Sequence, residues 1–223
     1  GKPIIGIESK VFEKHPEITS VVWGEKMEWI AGEVFKGCTG LQTITFNKGL
    51  EWIGANSFEG CIGLKEISIP ESVETISIKA FASCKNLSRV KFIGAPELKK
   101  NVFQNSKILN EATYTNGLFI IDRVLIDGSK AKGKLKLDGR QVKSIAAESF
   151  QNNQDLISVS CKGLRIIGDN AFRGKKKLKF IRISGAEKIG TDSFLGCNAK
   201  NIELKNVDFI GNGAFVGGKV QAV

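Results

Sequence analysis

Apolar residues recur along the chain at a fixed long period. Phe12, Phe35, Phe58, Phe81, Phe103, Phe150, Phe172, Phe194 and Phe215 are separated by steps of 23, 23, 23, 22, 47, 22, 22 and 21 residues, and the 47 is two repeats with one inserted residue. Five positions ahead of each phenylalanine stands an aliphatic residue: Ile7, Ile30, Ile53, Ile76, Leu98, Ile145, Ile167, Ile189 and Ile210. One position ahead stands a small or β-branched residue, from Val11 through Ala80 to Ala214. Self-similarity at a period of about 20 to 50 residues marks a repeat architecture, in which each unit buries its apolar side only against its neighbours.

Within a repeat, "LKEISI" from Leu64 ends in the two-residue alternation of a strand with one buried face. Stacked repeats then place these strands in parallel, about 4.8 Å apart. "VETI" at 73–76 forms the returning side of the coil, and the Ala-Phe after it turns the corner. The pattern predicts one domain over residues 1–223: a solenoid, mostly β with short turns or 3-10 segments, of about nine coils of 21–23 residues, with a parallel β-sheet along one face. The coil between Phe103 and Phe150 lacks its phenylalanine. There "TYTNGLFIIDRVLIDGSKAKGKLKL" carries Asn-Gly and Asp-Gly turn signals, which predict a hairpin-like irregular insert over about 104–140.

These columns resemble the BspA-like leucine-rich repeat family, whose units carry an Ala-Phe, a cysteine three residues on, a Leu-x-x-Ile-x-Ile-Pro strand and a Val-x-x-Ile-Gly return. "FEGCIGLKEISIPESVETI", from Phe58, matches almost position for position, and the resemblance covers about residues 4 to 217. It implies a leucine-rich repeat solenoid. It also implies a cell-surface or secreted protein of a host-associated bacterium, or of a protozoan, engaged in adhesion and host-protein binding. The family is recognised by its core columns, so the resemblance names no ligand.

Composition narrows the picture. A hydrophobic fraction of 42% sustains a buried core. No run of about eighteen apolar residues offers a membrane span, and the opening "GKPIIGIESK" lacks the apolar core of a secretory signal. Surface or secreted location therefore calls for a signal outside this sequence. Five cysteines, odd in number and sparse, argue against a disulfide-stapled scaffold. The net charge of +10 is uneven: residues 1–111 hold 14 basic against 13 acidic side chains, and residues 112–223 hold 19 against 10.

Cys38, Cys61 and Cys84 stand 23 apart and are predicted to form a column of buried, reduced thiols on adjacent coils. The same slot takes His15, Lys175, Cys197 and Gly218, so it does not demand sulfur. Side chains pointing the same way from adjacent strands rarely meet disulfide geometry, and no paired Cys or His at short spacing suggests zinc. His15 and Cys38 are column neighbours, but a Cys-His nucleophile needs a third orienting group and a cleft. The single histidine also argues against a serine triad. Neither a phosphate loop nor a calcium loop is present: "DRVLIDGS" at 122–129 lacks the spacing. The sequence thus predicts no enzyme, no cofactor and no metal.

The positions between buried columns should project from the sheet: Thr43 and Thr45, Glu66 and Ser68, Arg89 and Lys91, Lys134 and Lys136, Ser158 and Ser160, Phe180 and Arg182, Asn201 and Glu203. The candidate ligand-binding residues are Arg89, Lys91, Lys134, Lys136, Phe180 and Arg182, an aromatic and arginine mixture of the kind that anchors protein interfaces. Secondary candidates are Trp29 and Trp52, 23 apart on the return side, and Lys175, Lys176 and Lys177 at a coil corner. The expected activity is non-catalytic binding of a partner or host extracellular protein by the open sheet face. Two rivals stay open: a module for a polyanion, with sulfated glycan favoured over nucleic acid, and a structural spacer in a larger protein.

Overall fold

The computed structural model describes residues 5–217 and the strand Gln221–Ala222. The chain divides into two compact units, Gly1–Ala112 and Thr113–Val223. Both are solenoids of parallel strands, and the described residues hold one helix, the single turn Lys107–Asn110.

In the first unit the strand side is built from two parallel pairs: Ser20–Val22 with Thr43–Thr45, and Glu66–Ile69 with Arg89–Phe92. Among the described residues no ladder joins the two pairs. The return side forms a sheet of its own, a five-stranded parallel ladder of two-residue strands running from Gly6–Ile7 through Trp29–Ile30, Trp52–Ile53 and Thr75–Ile76 to Glu97–Leu98. Hydrogen-bonded strands thus line both sides of the coil, one more than the sequence pattern foresaw. In the second unit the strand side is continuous: Gly133–Asp138, Leu156–Lys162, Phe180–Ile189 and Asn201–Ile210 pair in order. Phe180–Ile189 is ten residues long because it also pairs with the return strand Ile166–Ile167, which merges the two ladders into one sheet.

The phenylalanine columns are stacks of rings. Centroids of Phe12, Phe35, Phe58, Phe81 and Phe103 follow one another at 5.4, 5.3, 5.1 and 6.0 Å, with the ring planes nearly parallel. In the second unit Phe150, Phe172, Phe194 and Phe215 stack at 4.5, 4.9 and 5.3 Å. Each ring rides on a backbone bond: Phe35 N–H donates to Ser57 O (2.7 Å) and Phe58 N–H to Ala80 O (2.8 Å). The acceptor belongs to the residue just ahead of the next phenylalanine, which lies in the interior between coils and is therefore small or β-branched. Two residues before and after most phenylalanines the backbone is left-handed, as at Asn56 (φ 55°) and Gly60 (φ 75°) around Phe58; this folds the corner tightly enough to bring the ring inward.

The insert is a run of tight turns. Asn116 and Gly117 (φ 52° and 78°) make the turn closed by the Thr115–Leu118 bonds. The hairpin itself pairs Phe119–Ile121 with Val124–Asp127 and turns on Asp122 and Arg123, both left-handed. Asp127 supplies no hairpin turn; its carboxylate accepts the Ser129 N–H at 2.7 Å. The regular coil resumes at Gly133–Asp138, inside the segment expected to be irregular. Gly128 takes the place of the missing phenylalanine. Its N–H donates to Ser149 O as a column phenylalanine would, and any side chain there would collide with the Phe150 ring.

Two outcomes test this packing. Phe58 is fully buried between two rings, so Phe58→Ala should lower unfolding free energy by about 3–5 kcal/mol; a variant melting within a degree or two of the parent would refute the stacking. Ser57 Oγ is buried and finds no hydrogen-bond partner among the described residues, at a position where other coils carry alanine. Ser57→Ala should therefore raise stability by about 1 kcal/mol, visible as a higher denaturant midpoint with unchanged slope.

Candidate binding faces on the strand side

The cysteine slot is a column of donors. Cys38 Sγ donates to Phe12 O (2.9 Å), Cys61 to Phe35 O (3.2 Å), Cys84 to Phe58 O (3.2 Å) and Cys197 to Phe172 O (3.1 Å). Two members escaped the sequence reading. Ser106 Oγ donates to Phe81 O at 2.6 Å, and buried Asn153 bonds the carbonyls of Gly128 and Ala131 at 2.9 and 2.6 Å. What the slot requires is a buried donor for a carbonyl of the preceding coil; Gly218 lies outside the described residues. All five cysteines are free thiols. Burial raises their pKa, to about 12 for Cys84 and Cys161. His15 Nδ1 lies 2.6 Å from the Glu17 carboxylate while the Cys38 thiol donates to Phe12 O, so the two side chains are engaged with other groups. Among the described residues no group of three or more His, Cys, Asp or Glu is placed to hold a metal ion.

The outward residues lie where the alternation puts them. In the first unit a groove of about 690 Å³ is lined by Thr43, Thr45, Glu66, Ser68, Arg89 and Lys91, with Ile108 of the helical turn alongside. Arg89 is committed there: its guanidinium pairs with the Glu66 carboxylate on the adjacent strand. In the second unit a groove of about 320 Å³ gathers Lys134, Lys136, Ser158, Ser160, Phe180 and Arg182. The ladder sets them in two rows, Lys134–Ser158–Phe180–Asn201 and Lys136–Ser160–Arg182–Glu203. Phe180 is 52% exposed, uncovered by any neighbour. Arg182 binds Glu203 through Nε and Nη2 at 2.7 and 2.9 Å; these hydrogen bonds hold Arg182 above its ordinary pKa and depress Glu203. The six primary candidates thus fall in two grooves, one per unit. Glu66, Glu203 and the serine floor complete them, and only the register reveals those roles.

The secondary candidates fare unevenly. Lys175 is not a surface charge. It occupies the donor slot at 2% exposure with Nζ on Gln151 O (3.0 Å), and desolvation lowers its pKa. Lys176 and Lys177 do stand in solvent, the first donating to Gly196 O and the second pairing with Asp155 at 3.1 Å. Trp29 is half-buried against Gly6, where a side chain would strike its ring. Trp52, its partner in the ladder, is 41% exposed and donates Nε1–H to Ser77 Oγ (2.8 Å).

Parallel coils of 21 to 23 residues with a strand side, a return side and a donor slot define a leucine-rich repeat solenoid. The repeat profile described as BspA type leucine rich repeat region matches residues 5–132 and 143–220 in six copies, and the chain belongs to this family. Similar solved structures include the T. pallidum leucine rich repeat protein TpLRR (21% identity, 88% of this chain and 71% of that one, TM-score 0.42). Another is a leucine rich cell surface protein of Faecalibacterium prausnitzii (24% identity, TM-score 0.43), with 94% of this chain covering 54% of that one. The pneumococcal vaccine antigen PcpA is a third (17% identity, 99% and 75% coverage, TM-score 0.45). This chain therefore spans about half the length of the Faecalibacterium protein and about three quarters of the pneumococcal one. No curated protein matches it.

The thiols give a pH test. Unfolded cysteines ionise near about 8.5, whereas folded Cys84 and Cys161 do so only at about 12. Their burial therefore stabilises the fold fully below about pH 8.5, and the contribution is lost as pH rises toward 12. Melting temperature should fall between pH 7.5 and pH 10, and iodoacetamide at pH 8 should leave the native thiols largely unmodified while alkylating all five after unfolding. Rapid alkylation of the native protein would contradict the buried column.

Proposed function

We propose that the chain is a non-catalytic binding module of a surface or secreted protein, and that it holds a partner protein, such as a host extracellular protein, on its strand side. The observation that carries this reading is Phe180, a large apolar ring standing in solvent inside a groove, beside an arginine already fixed by its own carboxylate. A desolvated aromatic with a preorganised arginine is the usual composition of an interface anchor. The buried thiols and the lone histidine, itself engaged with Glu17, supply no nucleophile that would favour a reaction. The family resemblance supports the surface location and the adhesive role. A polyanion module is the second reading, favoured by 19 basic against 10 acidic side chains in residues 112–223.

Capture from host extracellular extract by immobilised protein separates them. Phe180→Ala with Arg182→Ala should lose the captured protein, while Lys176→Glu with Lys177→Glu should retain it. Retention in the first and loss in the second, with affinity falling steeply with salt, would assign the activity to a polyanion at the corner.

A further inference from the structure

The groove of the second unit has a floor and two unlike walls, and this defines what fits it. Its floor is the strand Leu156–Lys162, on which the half-buried hydroxyls of Ser158 and Ser160 face the groove. One wall is the strand Gly133–Asp138 with Lys134 and Lys136, both exposed and without an ion-pair partner among the described residues. The opposite wall is Phe180 and Arg182 on Phe180–Ile189, and Arg182 is already neutralised by Glu203. One wall is therefore cationic and the other sets an exposed ring beside a compensated ion pair, with small polar groups between them.

Resting on the protein-binding reading, we propose that this groove seats one extended segment of the partner in which acidic residues alternate with apolar ones. The dimensions select a single chain: the walls stand two strand spacings apart, about 9–10 Å, which leaves room for one backbone over the floor. Lys134 and Lys136 project two residues apart on one strand, a repeat of about 6.6 Å that equals the spacing of alternate side chains in an extended peptide. Lying along the floor, such a peptide sends acidic side chains i and i+2 toward the lysines. The intervening apolar side chains then face Phe180, because successive side chains of an extended chain point to opposite sides. The serine hydroxyls lie beneath its backbone, where they can donate to carbonyls and accept from amides. Ile157, 41% exposed, adds apolar surface to the same groove. A uniformly charged polymer would meet its charge complement on one wall and leave Phe180 unmatched.

The test is fluorescence anisotropy of the full chain with a capped, labelled heptapeptide Glu-Val-Glu-Val-Glu-Val-Glu, against a peptide of the same composition with the four glutamates first. The alternating peptide should bind, and the block peptide should bind several-fold more weakly. Lys134→Glu with Lys136→Glu should weaken the alternating peptide by about tenfold or more, since opposed like charges replace matched ones. Phe180→Ala should weaken it while leaving the block peptide unchanged, and Lys176→Glu should affect neither. Equal affinity for the two peptides, no binding of the alternating one, or displacement of it by a heparin oligosaccharide would overturn the inference. A captured partner that depends on Phe180 yet is not displaced by the alternating peptide would also overturn it, and would leave the protein-binding reading standing.

Discussion

Within each unit the coils are held by a stack of phenylalanine rings, Phe12 to Phe103 in the first and Phe150 to Phe215 in the second. A single coil of 21 to 23 residues has no interior of its own, so the ring it turns inward is buried only if the next coil supplies another face. Aromatic rings favour offset stacking at centroid separations of about 4.5–7 Å, and the coil pitch set by backbone pairing lies in that window. The ring spacings of 4.5 to 6.0 Å show the two demands met at once. Other features of the repeat follow. The residue before a phenylalanine is small or β-branched because it lies in the interior between coils, where its carbonyl accepts from the phenylalanine amide of the preceding coil, and the left-handed corners aim the ring inward. The donor slot three residues on hydrogen-bonds a carbonyl of the preceding coil; at Phe35 and Phe58 it adds to the bond that the phenylalanine carbonyl already accepts from the amide of Cys38 or Cys61.

That constraint decides what the sequence makes legible. The phenylalanine column, the aliphatic column and the outward positions were readable because each is fixed by side-chain chemistry repeated at one period. The donor slot was half readable: four cysteines announced it, but Ser106 and Asn153 share with them only a hydrogen-bond donor, and Lys175 in "RGKKKLK" looks like any solvated lysine until burial is known. The left-handed corner at Lys10, Glu33 and Lys79 carries no residue signal, because the stack enforces a conformation those side chains do not prefer. The hairpin was legible as a hairpin, while its turn fell on Asp122 and Arg123 and not on either glycine-bearing pair, since pairing with Ser144–Ile145 fixes where Val124 must begin.

The grooves were visible in the sequence only as alternation. Pattern says which residues point outward; register says which of them are neighbours, and the groove depends on register. Phe180 faces Ser158 and not another bulky residue, and that one pairing opens the floor beside it. Core columns and outward positions are physically independent, so one scaffold carries a nearly neutral first unit and a strongly basic second one without altering the coil.

The two arginines of the strand side show how such a surface is kept usable. Arg89 pairs with Glu66 and Arg182 with Glu203, in each case across one rung of a parallel ladder. These exposed pairs contribute little to stability, because solvent screens the attraction. Their consequence is positional: a paired guanidinium is restrained by its carboxylate before any partner arrives, so less entropy is lost on contact. Lys134 and Lys136 are the converse, exposed charges without an ion-pair partner among the described residues, suited to drawing in an acidic partner over a Debye length of about 8–10 Å. On the proposed binding reading, encounter and retention fall to different residues of one groove: substitutions at the lysines should act mainly through the association rate, and those at Phe180 and Arg182 through dissociation.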